Sequence, residues 1–259
     1  MKILSDFHVH TCFCDGKDVP EDIVTEAIAK GMKKIGFSGH SYTSFDPAVC
    51  MSLENTAKYK LEIKNLKEKY KSKIEILCGI EQDYFSNFPA EDFDFVIGSV
   101  HCVLHNGKYL PVDHTEKHFI EAINEFDGDV YKLTEEYFSN VSDVVKRTGA
   151  DIIGHFDLVS KFNDVNKFFD ENDPRYVNAA EKAAYELLKT GKPFEINTGA
   201  ISRGYKKFPY PSMRILKYLA SHGGKVILSS DSHSKNTLMY EFETCEKIAE
   251  ELGLEIIEL

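Results

Sequence analysis

Short apolar runs alternate with longer helical patterns along nearly the whole of this 259-residue chain, and that alternation limits its fold more than any other feature. Residues 3–7, 34–38, 74–80, 93–100, 151–155, 193–197 and 225–230 read as strands, with a weaker run at 254–259. Helical patterns lie near 20–30, 53–70, 130–147, 174–190, 211–221 and 236–251. Pro20, Pro174 and Pro211 suit first helical turns, where no amide hydrogen is required; Gly31, Gly149, Gly191, Gly223 and Gly253 suit helix ends. A helix after each strand brings the chain back parallel, so this order predicts a parallel sheet. Seven or eight such units predict closure into a barrel. Residues 74–80 and 93–100 have no helix-length segment between them, so the barrel should be irregular. The longest departure, 102–129, is rich in His, Asn, Gly and Asp and reads as a lid or substrate loop. No linker stands out, and 1–259 reads as a single domain.

Composition narrows the function. A hydrophobic share of 42% supports a sizeable core. A formal net charge of −11 disfavours nucleic acid or an anionic membrane as partner, because phosphate backbones demand a basic face. A small phosphorylated substrate stays compatible, since bound divalent ions reverse the local field. No apolar run is long enough to span a bilayer, and the N-terminus reads as a strand instead of a secretory signal. The six cysteines are scattered without a disulfide framework, so free thiols and a cytoplasmic location are expected.

The strand ends carry the chemistry. In a parallel barrel the loops after the strands share one face, and active sites form there. Strand one ends in His8-Val9-His10, followed by Asp15-Gly16. Alternation points His8 and His10 to the same side. Later strands end in Ser38-Gly39-His40, Gly79-Ile80-Glu81, Gly98-Ser99-Val100-His101, Gly154-His155, Glu195-Ile196-Asn197 and Ser229-Ser230-Asp231-Ser232-His233. Any one histidine after a strand is an ordinary polar loop residue; so many at the same end predict a metal cluster. Imidazole with carboxylate suits zinc, iron or manganese, and the number of ligands exceeds what one ion uses, so two or three ions are expected. Ions about 3.5–4 Å apart hold a bridging hydroxide and clamp both oxygens of a phosphoryl transfer.

Six segments resemble the motifs of the PHP (polymerase and histidinol phosphatase) family. They are Asp6-Phe7-His8-Val9-His10-Thr11, Ser38-Gly39-His40, Gly79-Ile80-Glu81, Ile97-Gly98-Ser99-Val100-His101, Gly154-His155-Phe156-Asp157 and Ser230-Asp231-Ser232-His233. Residues 155–162 and 195–203 carry a narrower likeness to the family's stand-alone histidinol-phosphate phosphatases. The resemblance implies a distorted (β/α)7 TIM-like barrel with a trinuclear centre at the C-terminal ends of the strands. By that likeness His8, His10, Glu81 and Asp231 hold a first metal. Glu81 bridges to a second, completed by His101 and His155, and Asp15, His40 and His233 hold a third. It further implies hydrolysis of L-histidinol phosphate in histidine biosynthesis, with a metal-bridging hydroxide attacking phosphorus.

Individual roles follow as expectations. Asp231 orients the nucleophile or accepts its proton, and His233 assists the leaving alkoxide; the alternative is that both are ligands only. Arg203, one of four arginines, offers a planar guanidinium for bidentate phosphate binding, and Lys161 a second phosphate contact. Lys206 and Lys207 read as solvated. Cys12 and Cys14 read as loop thiols, not ligands, and His222 as an exposed helix end. One of His105, His114 and His118 is a candidate substrate contact. Tyr42, Phe45, Tyr84 and Phe85 either wall the substrate or pack in the core. Three rivals stand beside this reading. One is a family phosphoesterase for a nucleotide or phosphotyrosine. Another is an amidohydrolase-type deaminase or lactonase, disfavoured because His101 stands where that class needs a bridging lysine. The third is a non-catalytic module serving a polymerase, disfavoured by the intact ligand set.

Overall fold

The computed structural model describes residues 2–259. Eight strands form one parallel sheet in sequential order: β1 (Ser5–Asp6), β2 (Lys34–Phe37), β3 (Glu75–Asp83), β4 (Phe95–Ser99), β5 (Ile152–Ile153), β6 (Phe194–Asn197), β7 (Lys225–Ser229) and β8 (Glu255–Ile256). The eighth is a stave of the floor only. It pairs Glu255 with Lys225 and Ile256 with Val226, at the foot of β7. At the other end the continuations of β1 and β7 meet directly, Val9 bridging Ser232 in parallel. There His10 N–H donates to Ser232 O at 2.8 Å and Ser232 N–H to His8 O at 3.0 Å. The mouth is therefore ringed by seven strands, as the distorted (β/α)7 reading requires.

Helices α1 (Pro20–Ala29), α2 (Leu53–Tyr70), α3 (Glu116–Glu125), α4 (Val130–Thr148), α5 (Pro174–Leu188), α6 (Met213–Ser221) and α7 (Phe242–Leu252) bury their apolar faces in the core around the sheet, α3 doing so against residues 108–111 and α4. Pro20 and Pro174 open α1 and α5, as expected. Pro211 does not open α6: Ser212 takes the N-cap position and the helix starts at Met213. The pattern at 236–251 shortens to α7 because Met239 (φ 54°) and Glu241 (φ 57°) adopt left-handed backbone, which interrupts a right-handed helix. The segment 102–129 is not an irregular loop. Cys102–His105 and Lys108–Pro111 form a hairpin whose turn residues Asn106 and Gly107 both have positive φ, the demand that selects Asn-Gly in two-residue turns, and α3 follows. No helix among the described residues is long and apolar enough to cross a membrane.

Strand β3 shows how the interior is layered. Its inward residues run Leu77, Gly79, Glu81 and Asp83, from floor to mouth. Phe7, Phe95, Ile97, Ile152 and Ile227 fill the barrel beneath the polar layer. Gly79 is required by this packing, since a Cβ there would lie 2.3 Å from the Phe95 ring. Gly79→Ala should therefore destabilise the protein by about 1–3 kcal/mol through overpacking. Chemical denaturation measures this, and an unchanged midpoint would contradict the assignment of Phe95 to that space.

Candidate metal centre

The nine expected ligands reach the mouth from the ends of six strands, and Glu81 is the hub. Its Oε2 lies 3.2 Å from His8 Nε2, 3.5 Å from His10 Nε2 and 2.9 Å from His40 Nδ1. Its Oε1 lies 3.2 Å from His101 Nε2 and 2.9 Å from His155 Nε2. Five imidazoles thus converge on one buried carboxylate. Burial alone would raise its pKa, but His40, His8 and His101 outweigh that and hold it well below the usual carboxylate range.

Asp231 enters from beyond β7 with a φ of 47°, a left-handed conformation that Asp adopts more readily than most residues. Its Oδ1 lies 3.3 Å from His10 Nε2, 3.8 Å from His8 Nε2 and 3.5 Å from His233 Nδ1. Its Oδ2 accepts from Arg203 Nη2 at 3.0 Å. Burial pushes the Asp231 pKa up, and Arg203 and His8 more than reverse that. Asp15 returns to the centre because the loop doubles back at Gly16, where a Cβ would meet Thr11 N at 2.6 Å. Asp15 then lies 3.0 Å from His233 Nε2, 3.6 Å from His10 Nδ1 and 3.7 Å from His40 Nε2. Burial, with His233 and His40 alongside, depresses the His10 pKa to about 3, so this imidazole stays neutral with one ring nitrogen's lone pair to offer.

Three sets of ligand atoms draw together: His8, His10 and Glu81; His40, Glu81 and His101; and His10, Asp15, His40 and His233. They overlap the three expected sets but share His10 and His40 between two sets each and include neither His155 nor Asp231, which meet Glu81 and the His8–His10 pair instead. All nine expected ligand residues meet at the mouth. The donor set also fits a cation on its own terms. His8 Nε2, His10 Nε2 and Glu81 Oε2 are buried without a hydrogen-bond partner while facing one another, an arrangement that costs free energy unless a shared positive centre satisfies it.

The centre opens into a cleft of about 300 Å³. Arg203 and Lys161 both line it. Lys161 Nζ donates to Asp113 O at 2.6 Å and lies 5.0 Å above the Tyr205 ring. Of the three loop histidines, His114 faces the cleft and pairs with Asp46 at 2.8 Å. His105 stacks on Phe126 instead, and His118 bonds Thr115. Of the four expected aromatics Phe45 alone lines the cleft, stacked 4.0 Å from Tyr109 with Phe85 edge-on, while Tyr84 packs against the outer core and Tyr42 lies off the cleft. Burial raises the Cys14 thiol to about 12, so it stands protonated 3.5 Å from His10 Nδ1. Lys206 departs from expectation. It is buried, donating to Ser160 Oγ at 3.1 Å and Asp164 at 3.3 Å, because residues 199–210 fold back over the turn at Leu158–Ser160.

Four carboxylates outside the expected set also matter. Asp46 and Asp113 line the cleft, and Asp83 and Glu195 stand behind the histidines, 3.0 Å from His101 Nδ1 and 2.6 Å from His8 Nδ1. Glu195 is visible in sequence only as an acidic residue at a strand end, and Asp83 lies past the end of the strand expected at 74–80.

A closed parallel barrel with imidazoles and carboxylates at its mouth defines a metal-dependent barrel enzyme. This chain belongs to the PHP domain family, whose domain matches residues 6–199. It is 32% identical over 247 residues to a histidinol-phosphatase of Lactococcus lactis, covering 88% of this chain and 83% of that protein. A histidinol-phosphatase of Bacillus subtilis is 26% identical over 262 residues, 92% of this chain and 96% of that one. Among solved structures, the L. lactis histidinol phosphate phosphatase in complex with zinc, L-histidinol and phosphate superposes with a TM-score of 0.72 at 25% identity, over 98% and 95% of the two chains. A Listeria monocytogenes structure, at 21% identity and a TM-score of 0.81 over 93% and 99%, shares the fold.

Proposed function

We propose that this protein is a histidinol-phosphatase, hydrolysing L-histidinol phosphate to L-histidinol and inorganic phosphate. The observation that carries the reading is Glu81, reached by five imidazoles at the floor of a cleft that also holds an arginine and a lysine. Relatives named for this activity match the chain along most of its length, and one was solved with both products and zinc. Two to three divalent ions (zinc, iron or manganese) fit the donors. His8, His10, Glu81 and Asp231 would hold the first, Glu81, His101 and His155 the second, and Asp15, His40 and His233 the third. Such ions supply Lewis-acid charge and an activated water at neutral pH.

The chain's own residues do the rest. Arg203 has Nε–H and one Nη2–H left to offer the phosphate, its other donors being engaged by Asp231 and His233. Lys161 adds a second cation at the cleft edge. Asp231 Oδ1 is the carboxylate oxygen not tied to Arg203 and is placed to take the attacking water's proton. If His233 is not a ligand of the third ion, its Nε2–H, paired with Asp15, is the proton for the leaving oxygen. A single domain over 1–259 accommodates this site, with Cys102 of the hairpin and Asp113 and His114 beyond it on one wall. The six cysteines are free, which supports a reducing cytoplasmic location.

Phosphate release from L-histidinol phosphate tests the reading, alongside phenyl phosphate, a nucleoside monophosphate and phosphotyrosine. Histidinol phosphate should exceed the others in kcat/KM by about 10⁴-fold, as a site built to pair polar groups of its substrate discriminates. The rate should fall on chelation and return with metal. Equal efficiency on all four esters would defeat the substrate assignment while leaving the centre intact.

A further inference from the structure

We infer that Glu195 is a positioning residue that sets ligands of two metal sites at once, and that the position requires a group accepting hydrogen bonds on both oxygens. The inference rests on the assignment of His8 and His155 as metal ligands. Glu195 lies on β6, fully buried, with three donors converging on it from three strands. Its Oε1 is 2.6 Å from His8 Nδ1. Its Oε2 accepts from the His155 backbone N–H at 2.9 Å and from Asn197 Nδ2 at 3.1 Å. The Asn197 amide has one orientation, because its Oδ1 accepts from Gly199 N–H at 2.9 Å and so its NH₂ turns to Glu195.

These contacts decide a tautomer. With the Nδ1 proton directed at Glu195, His8 keeps a lone pair on Nε2, the atom that points at Glu81 and has no hydrogen-bond partner. The same carboxylate fixes the backbone at His155, whose Nε2 meets the other Glu81 oxygen. Glu195 thereby couples the first metal's histidine to the second's. Glutamine cannot substitute. With its NH₂ toward His8 it drives the imidazole proton to Nε2 and removes the ligand atom. Turned the other way, it sets donor against donor at His155 and Asn197, leaving buried N–H groups unpaired. Asp83 makes the contrast. It bonds one ligand, His101 Nδ1, and its Oδ1 accepts from Phe85 N–H at 2.8 Å, so it serves a single site.

The test is zinc titration of the chelated full-length protein, comparing wild type with Glu195→Gln, Glu195→Asp and Asp83→Asn. It is accompanied by long-range ¹H–¹⁵N spectra of the histidine rings in zinc-loaded wild type. Glu195→Gln should weaken two zinc equivalents by about ten- to hundredfold, and Asp83→Asn only one. Glu195→Asp, which keeps two acceptors on a shorter arm, should fall between. The wild-type spectrum should show His8 protonated on Nδ1. Zinc binding by Glu195→Gln within about twofold of wild type overturns the inference, because loss of such a partner ordinarily costs tenfold or more. So does a wild-type His8 protonated on Nε2, a result that needs no variant to fold. Wild type that binds no zinc overturns the ligand assignment itself, which separates the two failures.

Discussion

Glu81→Ala is expected to lower turnover of L-histidinol phosphate about a thousandfold or more, equivalent to about 4 kcal/mol of lost transition-state stabilisation, and to strip metal from the protein. The size of the effect comes from the division of labour on this side chain. Oε2 faces His8, His10 and His40, and Oε1 faces His101 and His155, so truncation removes a shared ligand from two of the three convergent sets. His101→Ala, by contrast, takes a donor from only one set and should cost less. The fold should survive Glu81→Ala, because the apolar floor of Phe7, Phe95, Ile97, Ile152 and Ile227 lies below the polar layer and keeps its contacts. Metal content measured on folded protein, beside steady-state rates, checks the expectation. Full occupancy with turnover within about tenfold of wild type would show that Glu81 is not the bridging ligand, since a residual loss of about 1.4 kcal/mol is too small for that role.

The histidines of this centre were legible in sequence because strand geometry is local. Alternate residues at the end of a parallel strand face the mouth, so counting along the strands brings His8, His10, His40, His101, His155 and Asp231 to it. The ring of partners behind them was not legible in the same way. Glu195 and Asp83 also stand at strand ends, but an acidic side chain there reads equally as ligand, base or support. Only the distances to His8 Nδ1 and His101 Nδ1 separate these roles. Lys206 shows a different limit. Its burial depends on a chain reversal that brings Ser160 and Asp164 to it from some forty residues away, and no local pattern announces such a contact. The hairpin within 102–129 carries a local signal in Asn106-Gly107, set in His- and Asp-rich surroundings that read as a loop. The early break in α7 carries none, since Met239 and Glu241 are residues that rarely take positive φ.

Arg203 carries the second large expectation, and its two partners make the measurement informative. Its Nη1 donates to Asp231 O at 2.9 Å and His233 Nδ1 at 3.0 Å, and its Nη2 to Asp231 Oδ2 at 3.0 Å, so the guanidinium both faces the cleft and holds the residue proposed to take the proton. Arg203→Ala should cost about 10²–10³ in kcat/KM, the range seen when one preorganised donor to a developing oxyanion is removed. Arg203→Lys should recover only part of it, because an ammonium cannot reach the phosphate and both atoms of Asp231 from one planar fork. Inorganic phosphate as a product inhibitor divides the two roles. If Arg203 binds phosphate, its Ki rises in Arg203→Ala by a factor comparable to the rise in KM. If Arg203 serves only to hold Asp231, kcat falls while Ki stays at the wild-type value, and Asp231→Asn reproduces the loss with no further decrease in the double variant. An unchanged Ki would therefore remove Arg203 from the phosphate site and leave Lys161, on the same cleft, as the cation that meets the substrate.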